Sequence, residues 1–184
     1  MTALWAYLAF LGLVAGERGA ELSVSTRNAR RLLARGGKET GQGLYRVMVA
    51  FHAVFLPALA LGAIAYREPP SPWAWLAVAG ALSAQGLRWW AVRTLGDRWS
   101  TRVIVVPGAK PVTGGPYRYL RHPNYLAVIL EMACLPLAWG MWRLALLFTV
   151  GNAIILYFRI REEERALGPE WGRAFEGKGR FVPR

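Results

Sequence analysis

The chain is poor in the residues on which most soluble catalytic centres are built. A single cysteine, Cys134, excludes an internal disulfide and any cysteine-rich metal centre. It lies in an apolar run and reads as a small buried hydrophobe. The two histidines, His52 and His122, are too few and too far apart in sequence to suggest a metal site. Acid is scarce as well: 11 Asp and Glu face 23 Lys and Arg, for a formal charge of +12. Signatures of soluble enzymes are missing. No G-x-G-x-x-G follows a strand, and G-x-x-x-x-G-K-[ST], H-E-x-x-H and G-x-S-x-G do not occur. No nucleophile has an evident base beside it. An enzyme made from this chain needs a reaction with neither metal nor covalent intermediate, such as transfer from an activated donor to an already anionic acceptor.

Apolar residues are abundant instead, at 54% of the 184 residues with nine Trp among them, and mean hydropathy is positive. A nucleic-acid binder of this charge does not concentrate its apolar residues in long runs, so no nucleic-acid partner is expected. Apolar spans joined by basic loops are the membrane pattern. Spans are read at residues 2–16, 47–66, 73–90, 125–142 and 144–158. Residues 2–16 have no basic residue before the apolar core and no convincing cleavage site after it, so they read as a retained helix rather than a signal peptide. Residues 17–43, punctuated by Arg18, Arg27, Arg30, Arg31, Arg35 and Lys38, read as a surface or interfacial segment ended by Gly36-Gly37. Residues 67–72 form a proline-stiffened turn, and 103–106 a short extended piece. Pro136 and Gly140 bend or end the fourth run. A charged helix from Arg159 to about Leu167 stops at Gly168-Pro169. The expected architecture is all-α: one domain, residues 1–184, forming an integral membrane bundle of about five transmembrane helices.

Basic residues set the orientation. The segments 18–46, 88–121 and 159–184 carry seven Lys and Arg each, whereas the two other connections carry only Arg67 and Arg143. The positive-inside rule places the N-terminus outside and the long third connection and C-terminal tail in the cytoplasm. That brings residues 114–125 and 159–164 to the same membrane face.

In the first of these, two glycines and a proline make a turn, and Arg121-His122 precede Pro123, where an apolar helix begins. Proline suits a first helical turn because its missing N–H would be unpaired there anyway. His122, Arg118 and Arg121 thus stand at a helix mouth, and ionisable groups against a membrane segment point to function. Helix capping or snorkelling accounts for His122 equally well. Tyr117, Tyr119 and Tyr125 belong as readily to an interfacial aromatic belt. His52, inside the second span, is most simply bonded to a neighbouring helix. Arg159 and Glu163 are spaced to share one helical face at the membrane boundary, although a cation-ended span followed by a solvated helix explains the same spacing.

The run Gly115-Pro116-Tyr117-Arg118-Tyr119-Leu120-Arg121-His122-Pro123-Asn124-Tyr125 resembles the R-H-P-x-Y signature of the isoprenylcysteine carboxyl methyltransferase family. The tail Arg159-Ile160-Arg161-Glu162-Glu163-Glu164-Arg165-Ala166-Leu167, closing on Arg180-Phe181-Val182-Pro183, is similar to that family's R-I-x-x-E-E-x-x-L and R-F-[IV]-P pieces. The resemblance implies membrane helices with a cytoplasmic pocket for S-adenosylmethionine and no soluble Rossmann fold. It implies that the cofactor is held by Lys110, Pro111 and Val112 in the loop 109–112, by Tyr117, by His122, Pro123, Asn124 and Tyr125, and by Glu163. Of that loop, only Val112 matches the pattern well. Arg159 is the implied catalytic residue, addressing the acceptor oxygen.

Gly16-Glu17-Arg18, Ser25-Thr26-Arg27-Asn28-Ala29-Arg30 and Gly36-Gly37-Lys38-Glu39 look like bacterial members encoded beside type III polyketide synthases. That implies a bacterial inner-membrane protein whose lipophilic acceptor is an alkylpyrone or alkylresorcinol hydroxyl, with a prenylated substrate and its isoprenylcysteine carboxylate the open alternative. Other readings stay open: a phospholipid N-methyltransferase, a steroid-reductase-like membrane oxidoreductase using NADPH, and a non-enzymatic scaffold whose basic loops bind anionic membrane lipid.

Overall fold

The computed structural model describes residues 2–65 and 72–183. The proline turn read at 67–72 falls, apart from Pro72, outside them. The described residues form helices α1 (Thr2–Ala34), α2 (Gln42–Ala65), α3 (Ala74–Leu95), α4 (Pro123–Leu137) and α5 (Trp142–Ala174), with two short strands, β1 (Lys38–Thr40) and β2 (Val103–Val105). The all-α expectation holds in this form.

Helix α1 corrects the sequence reading. Residues 17–34 are mostly exposed, as a surface segment should be, but they are the second half of an unbroken helix and not a separate piece. No proline interrupts it, and the charges that look like a break are paired: Arg18 with Glu21 at 2.7 Å, and Glu17 with Gln85 of α3 at 2.5 Å. The helix ends where the glycine pair predicts. Gly36 has φ 80°, a left-handed conformation that glycine adopts without steric cost, and the Gly37 N–H donates to the Leu32 carbonyl at 3.0 Å.

Two helices, α2 and α5, are long and apolar enough to cross a membrane. α4 is apolar but has 15 residues, and α1 and α3 carry Glu17, Arg18 and Arg88 inside their runs. Leu61 and Ile64 of α2, Leu82 of α3 and Leu146, Val150 and Ile154 of α5 are exposed, an apolar exterior fit for lipid. Close helix packing rests on small residues. A Cβ on Gly80 of α3 would stand 2.6 Å from the Cys134 sulfur of α4, and one on Gly151 of α5 would stand 2.8 Å from the Phe51 ring of α2. Cys134 is accordingly a half-buried free thiol, less enclosed than its sequence context implies. The Tyr7 hydroxyl donates to the Leu135 carbonyl at 2.9 Å and its ring stacks on Trp139, fixing the start of α1 to the end of α4.

The extended piece expected at 103–106 is β2, and it has an antiparallel partner, β1, that the sequence does not announce. The polar second half of α1 docks on the segment leading into β2. Asn28 donates to the carbonyls of Gly96 (3.0 Å) and Trp99 (2.9 Å), and Ser25 bonds Thr101 at 2.8 Å. Pro123 opens α4 as expected, but the His122 side chain makes no cap bond. Gly140, at φ 75°, turns the chain into α5.

Helix α5 is broken where the sequence reading ends it. Gly168, at φ 75° and ψ −174°, leaves helical geometry, so the charged helix stops at Leu167 as expected, and a second helical piece opened by Pro169 runs on to Ala174. The kink folds Trp171 and fully buried Phe175 back onto Ala91 and Tyr117. Beyond it the tail lies alongside the segment before α4: Arg121 N–H donates to the Gly179 carbonyl (3.0 Å) and His122 N–H to that of Arg180 (3.2 Å).

Candidate active site

A cavity of about 860 Å³ opens where the start of α4, the middle of α5, the loop before α4 and the returning tail converge. Every catalytic or cofactor-holding residue implied by the resemblance lines it except Pro123, which is buried as the first residue of α4, whereas Arg118 is exposed and outside the wall. Lys110, Pro111 and Val112 form part of the loop wall, where the Lys110 carbonyl is held by Arg98 at 2.6 Å. Tyr119 is exposed and outside the cavity wall, consistent with the belt role, while Arg121 lines the cavity and donates from Nε to the Lys178 carbonyl at 2.6 Å.

The centre of the site is a relay between two helices. Arg159, only 2% exposed, faces inward from α5. Its Nη2 donates to the Thr101 carbonyl at 2.5 Å and its Nε to the Tyr125 hydroxyl at 3.3 Å. Tyr125, on the first turn of α4, donates its own proton to Glu163, one turn beyond Arg159 on α5. Two polar atoms here are buried with no partner among the described residues: Nη1 of Arg159 and Oδ1 of Asn124. A buried polar atom without a partner costs about 1–3 kcal/mol, so each of these two calls for a physical account. One is a cationic donor and the other a neutral acceptor.

A second knot ties the tail down. His122 Nε2 lies 3.1 Å from Glu164 Oε1, and Arg180 grips the same carboxylate through Nε (3.0 Å) and Nη2 (2.5 Å). Burial alone would raise the Glu164 carboxyl, but the hydrogen bonds from His122 and Arg180 outweigh it and hold it down at about 2. The His122 ring stacks on Tyr125, with centroids 5.3 Å apart, and lies tilted against Trp171 at 5.5 Å. Burial, and then the Glu163 charge, push the Tyr117 phenol well above its usual range, so it remains a neutral wall of the site.

The sequence reading missed two features. Glu164 stands next to Glu163 in a run of three acids, and nothing local says which of them faces the tail. The second omission is larger. Arg88 of α3 and Glu131 of α4 form a buried ion pair in the cavity wall, with Arg18 and Glu21 of α1 beside them. A signal existed, because Arg88 and Glu131 are lone charges inside apolar runs, where ionisable residues are costly. His52 lines the same region, but its ring bonds the Met48 carbonyl of its own helix at 2.8 Å, not a neighbouring helix.

Residues 75–169 match the model of the isoprenylcysteine carboxyl methyltransferase (ICMT) family. The Bacillus subtilis protein YpbQ, described as uncharacterized, is 38% identical over 152 residues, 82% of this chain and 90% of its own. An uncharacterized Haemophilus influenzae protein is 25% identical over 147 residues, covering 79% of this chain and 86% of its own. With the motifs, the apolar helices and these matches in agreement, this is a membrane protein of the isoprenylcysteine carboxyl methyltransferase family.

Proposed function

We propose that the protein transfers a methyl group from S-adenosylmethionine to an acidic oxygen of a lipophilic acceptor. The observation that carries this reading is the Arg159–Tyr125–Glu163 relay, with unpartnered Arg159 Nη1 and Asn124 Oδ1 on the wall of one cavity. The residues present suit the cofactor. Its amino group needs anionic and neutral acceptors, and Glu163 keeps lone pairs beyond the bond from Tyr125, with Asn124 Oδ1 available nearby. The rings of Tyr117, His122, Tyr125 and Trp171 offer faces to a nucleoside and to a sulfonium cation. When bound, the cofactor supplies an electrophilic methyl whose S–C bond breaks as the O–C bond forms, with the electron pair left on sulfur as a thioether.

Arg159 holds the acceptor. Its guanidinium is fixed by Thr101 and Tyr125, so Nη1 presents a pre-aimed, charge-assisted donor to an anionic oxygen. No base is needed, because a carboxylate or acidic enol is already ionised at neutral pH. Placing the acceptor oxygen in line with the donor methyl supplies rate through proximity and orientation. The apolar cavity wall, with Val128, Met132 and Leu156, accommodates hydrocarbon and excludes water.

In this reading the helices form a five-span bundle in a bacterial inner membrane, with the N-terminus outside and the C-terminal tail cytoplasmic. An isoprenylcysteine-like carboxylate and an alkylpyrone or alkylresorcinol hydroxyl are the candidate acceptor groups. The test is calorimetric titration of purified protein in detergent. Saturable binding of S-adenosylmethionine is expected, and saturable NADPH binding without it rejects the reading.

A further inference from the structure

Thr101 marks one level of the molecule. Its hydroxyl bonds Ser25 of α1 at 2.8 Å and Tyr45 of α2 at 3.2 Å, and its carbonyl accepts the Nη2 bond from Arg159 of α5. Three helices are held in register there. On each of them the exposed surface changes character close to that level. Leu22 gives way to Arg27 on α1, Val47 to Arg46 on α2, and Phe158 to Arg161 on α5. Such a change is expected where hydrocarbon ends and lipid headgroups begin.

The basic residues near this boundary differ in how they are satisfied. Arg35 pairs with Asp97 at 2.8 Å, Arg102 pairs with Glu39 at 3.3 Å, and Arg161 donates to the Tyr157 hydroxyl at 2.6 Å. Arg27, Arg30 and Arg31 are exposed and have no acidic partner among the described residues. Their spacing puts them on one helical face, and residues 22–38 contain no Asp or Glu. With Leu22, Ser23 and Thr26 they line a shallow groove. The Ser23 and Thr26 hydroxyls donate to the Gly19 and Leu22 carbonyls at 3.0 and 2.8 Å, which leaves the guanidinium groups as the donors of the groove. Uncompensated guanidinium groups suit a phosphate, and the adjoining exposed Leu22 suits one that carries acyl chains.

The opposite face of the same turns orients Arg159. Buried Asn28 donates to the carbonyls of Gly96 and Trp99, and the Thr101 N–H donates to Oγ of buried Ser25 at 2.9 Å. The carbonyl of that same Thr101 holds Arg159. We propose that Arg27, Arg30 and Arg31 bind the phosphates of anionic phospholipids in the leaflet at the Arg159 end, and that this contact steadies the α1 turns on which residues 96–101, and through them Arg159, are held. The lipid is a regulator and stays outside the cavity, whose wall includes none of the three arginines. The inference goes beyond methyl transfer and holds whichever cofactor or acceptor the cavity takes.

The test uses full-length protein in nanodiscs of phosphatidylcholine, alone or mixed equally with phosphatidylglycerol. Phosphatidylglycerol is expected to raise the thermal midpoint and to slow hydrogen exchange of the Thr101 amide severalfold. In neutral detergent, dioctanoyl phosphatidylglycerol should bind the native chain about 100-fold more tightly than the triple variant Arg27→Gln, Arg30→Gln, Arg31→Gln, from about fivefold for each cation at a charged membrane surface. Changing the same three residues to Lys keeps the charge and should keep most of the affinity. Arg143→Gln, Arg165→Gln and Arg173→Gln together remove as much charge elsewhere and should leave the response as in the native chain. Equal midpoints and exchange in the two nanodiscs would overturn the proposal even if no variant folds, and so would a native response in the folded glutamine variant. Glycerol phosphate giving the same shift would make the groove a soluble-anion site and overturn the lipid assignment. Lipid binding that leaves Thr101 exchange unchanged would overturn the link to Arg159. None of these readouts needs methyl transfer, so failure of the proposed function shows separately, in the titration with S-adenosylmethionine.

Discussion

The two ends of the cavity treat buried charge differently. At the Arg159 end, charge is spread along a relay in which a neutral tyrosine separates the guanidinium from Glu163, and ligand-sized gaps in hydrogen bonding remain at Arg159 and Asn124. At the Arg88 end, cations and anions from α1, α3 and α4 touch directly and largely neutralise one another. The first arrangement leaves its charges available to a visitor. The second spends most of its charge internally and offers only the two orphaned Nε donors. In the proposed reading, chemistry belongs to the first and helix cohesion to the second.

The comparison predicts where a single substitution costs stability and where it costs rate. The largest effect belongs to Glu131→Ala, which strands Arg88 without its close partner and is expected to cost about 3–5 kcal/mol, read as a lowered thermal midpoint in detergent. Next comes Arg159→Ala. Here kcat/KM should fall by at least ~100-fold, as on removal of a transition-state donor, while S-adenosylmethionine affinity changes little. An unchanged kcat/KM would remove Arg159 from the acceptor site. Glu163→Gln keeps the shape and loses the charge, so the cofactor dissociation constant should rise about tenfold, the effect of losing one charge-assisted bond. If the scaffold reading were right, this change would be harmless.

The smallest effect concerns the tail. The Glu164 carboxyl is lowered in the folded protein from 4.5 to about 2, so it contributes stability above its unfolded value and loses that contribution as pH falls from about 4.5 towards 2. Glu164→Gln should flatten that acid limb of the thermal midpoint against pH, and an unaltered limb would mean that the knot with His122 and Arg180 does not hold the tail.

The same contrast explains how much of the molecule the sequence disclosed. The Arg159 end is built from two contiguous stretches, 114–125 and 159–164, and its chemistry is written at local spacing: proline after His122, and Arg159 one helical turn from Glu163. The Arg88 end is assembled from residues whose partners lie dozens of positions away, Arg88 with Glu131 and Gln85 with Glu17, and no window of sequence holds both members. The length of α1 was hidden for the same reason. Glu17, Arg18 and Glu21 look like an exit from the membrane until their partners on α3 and α4 are in place. Gly168-Pro169 reads correctly as a stop; what the sequence hides is the helical piece after Pro169, which forms because Trp171 and Phe175 pack on Ala91 and Tyr117. The strand pair was half legible: Val103-Ile104-Val105 is β-branched throughout, while Lys38-Glu39-Thr40 pairs with it only because α1 ends beside it.

The account is tested most directly by incubating membranes that contain the protein with methyl-labelled S-adenosylmethionine and a bacterial lipid extract, then locating the label by mass spectrometry. The account predicts label on an oxygen of a lipid-soluble product, absent when Arg159→Ala replaces the native chain. Label on a phospholipid nitrogen, or no labelled product beside saturable NADPH binding, would contradict it.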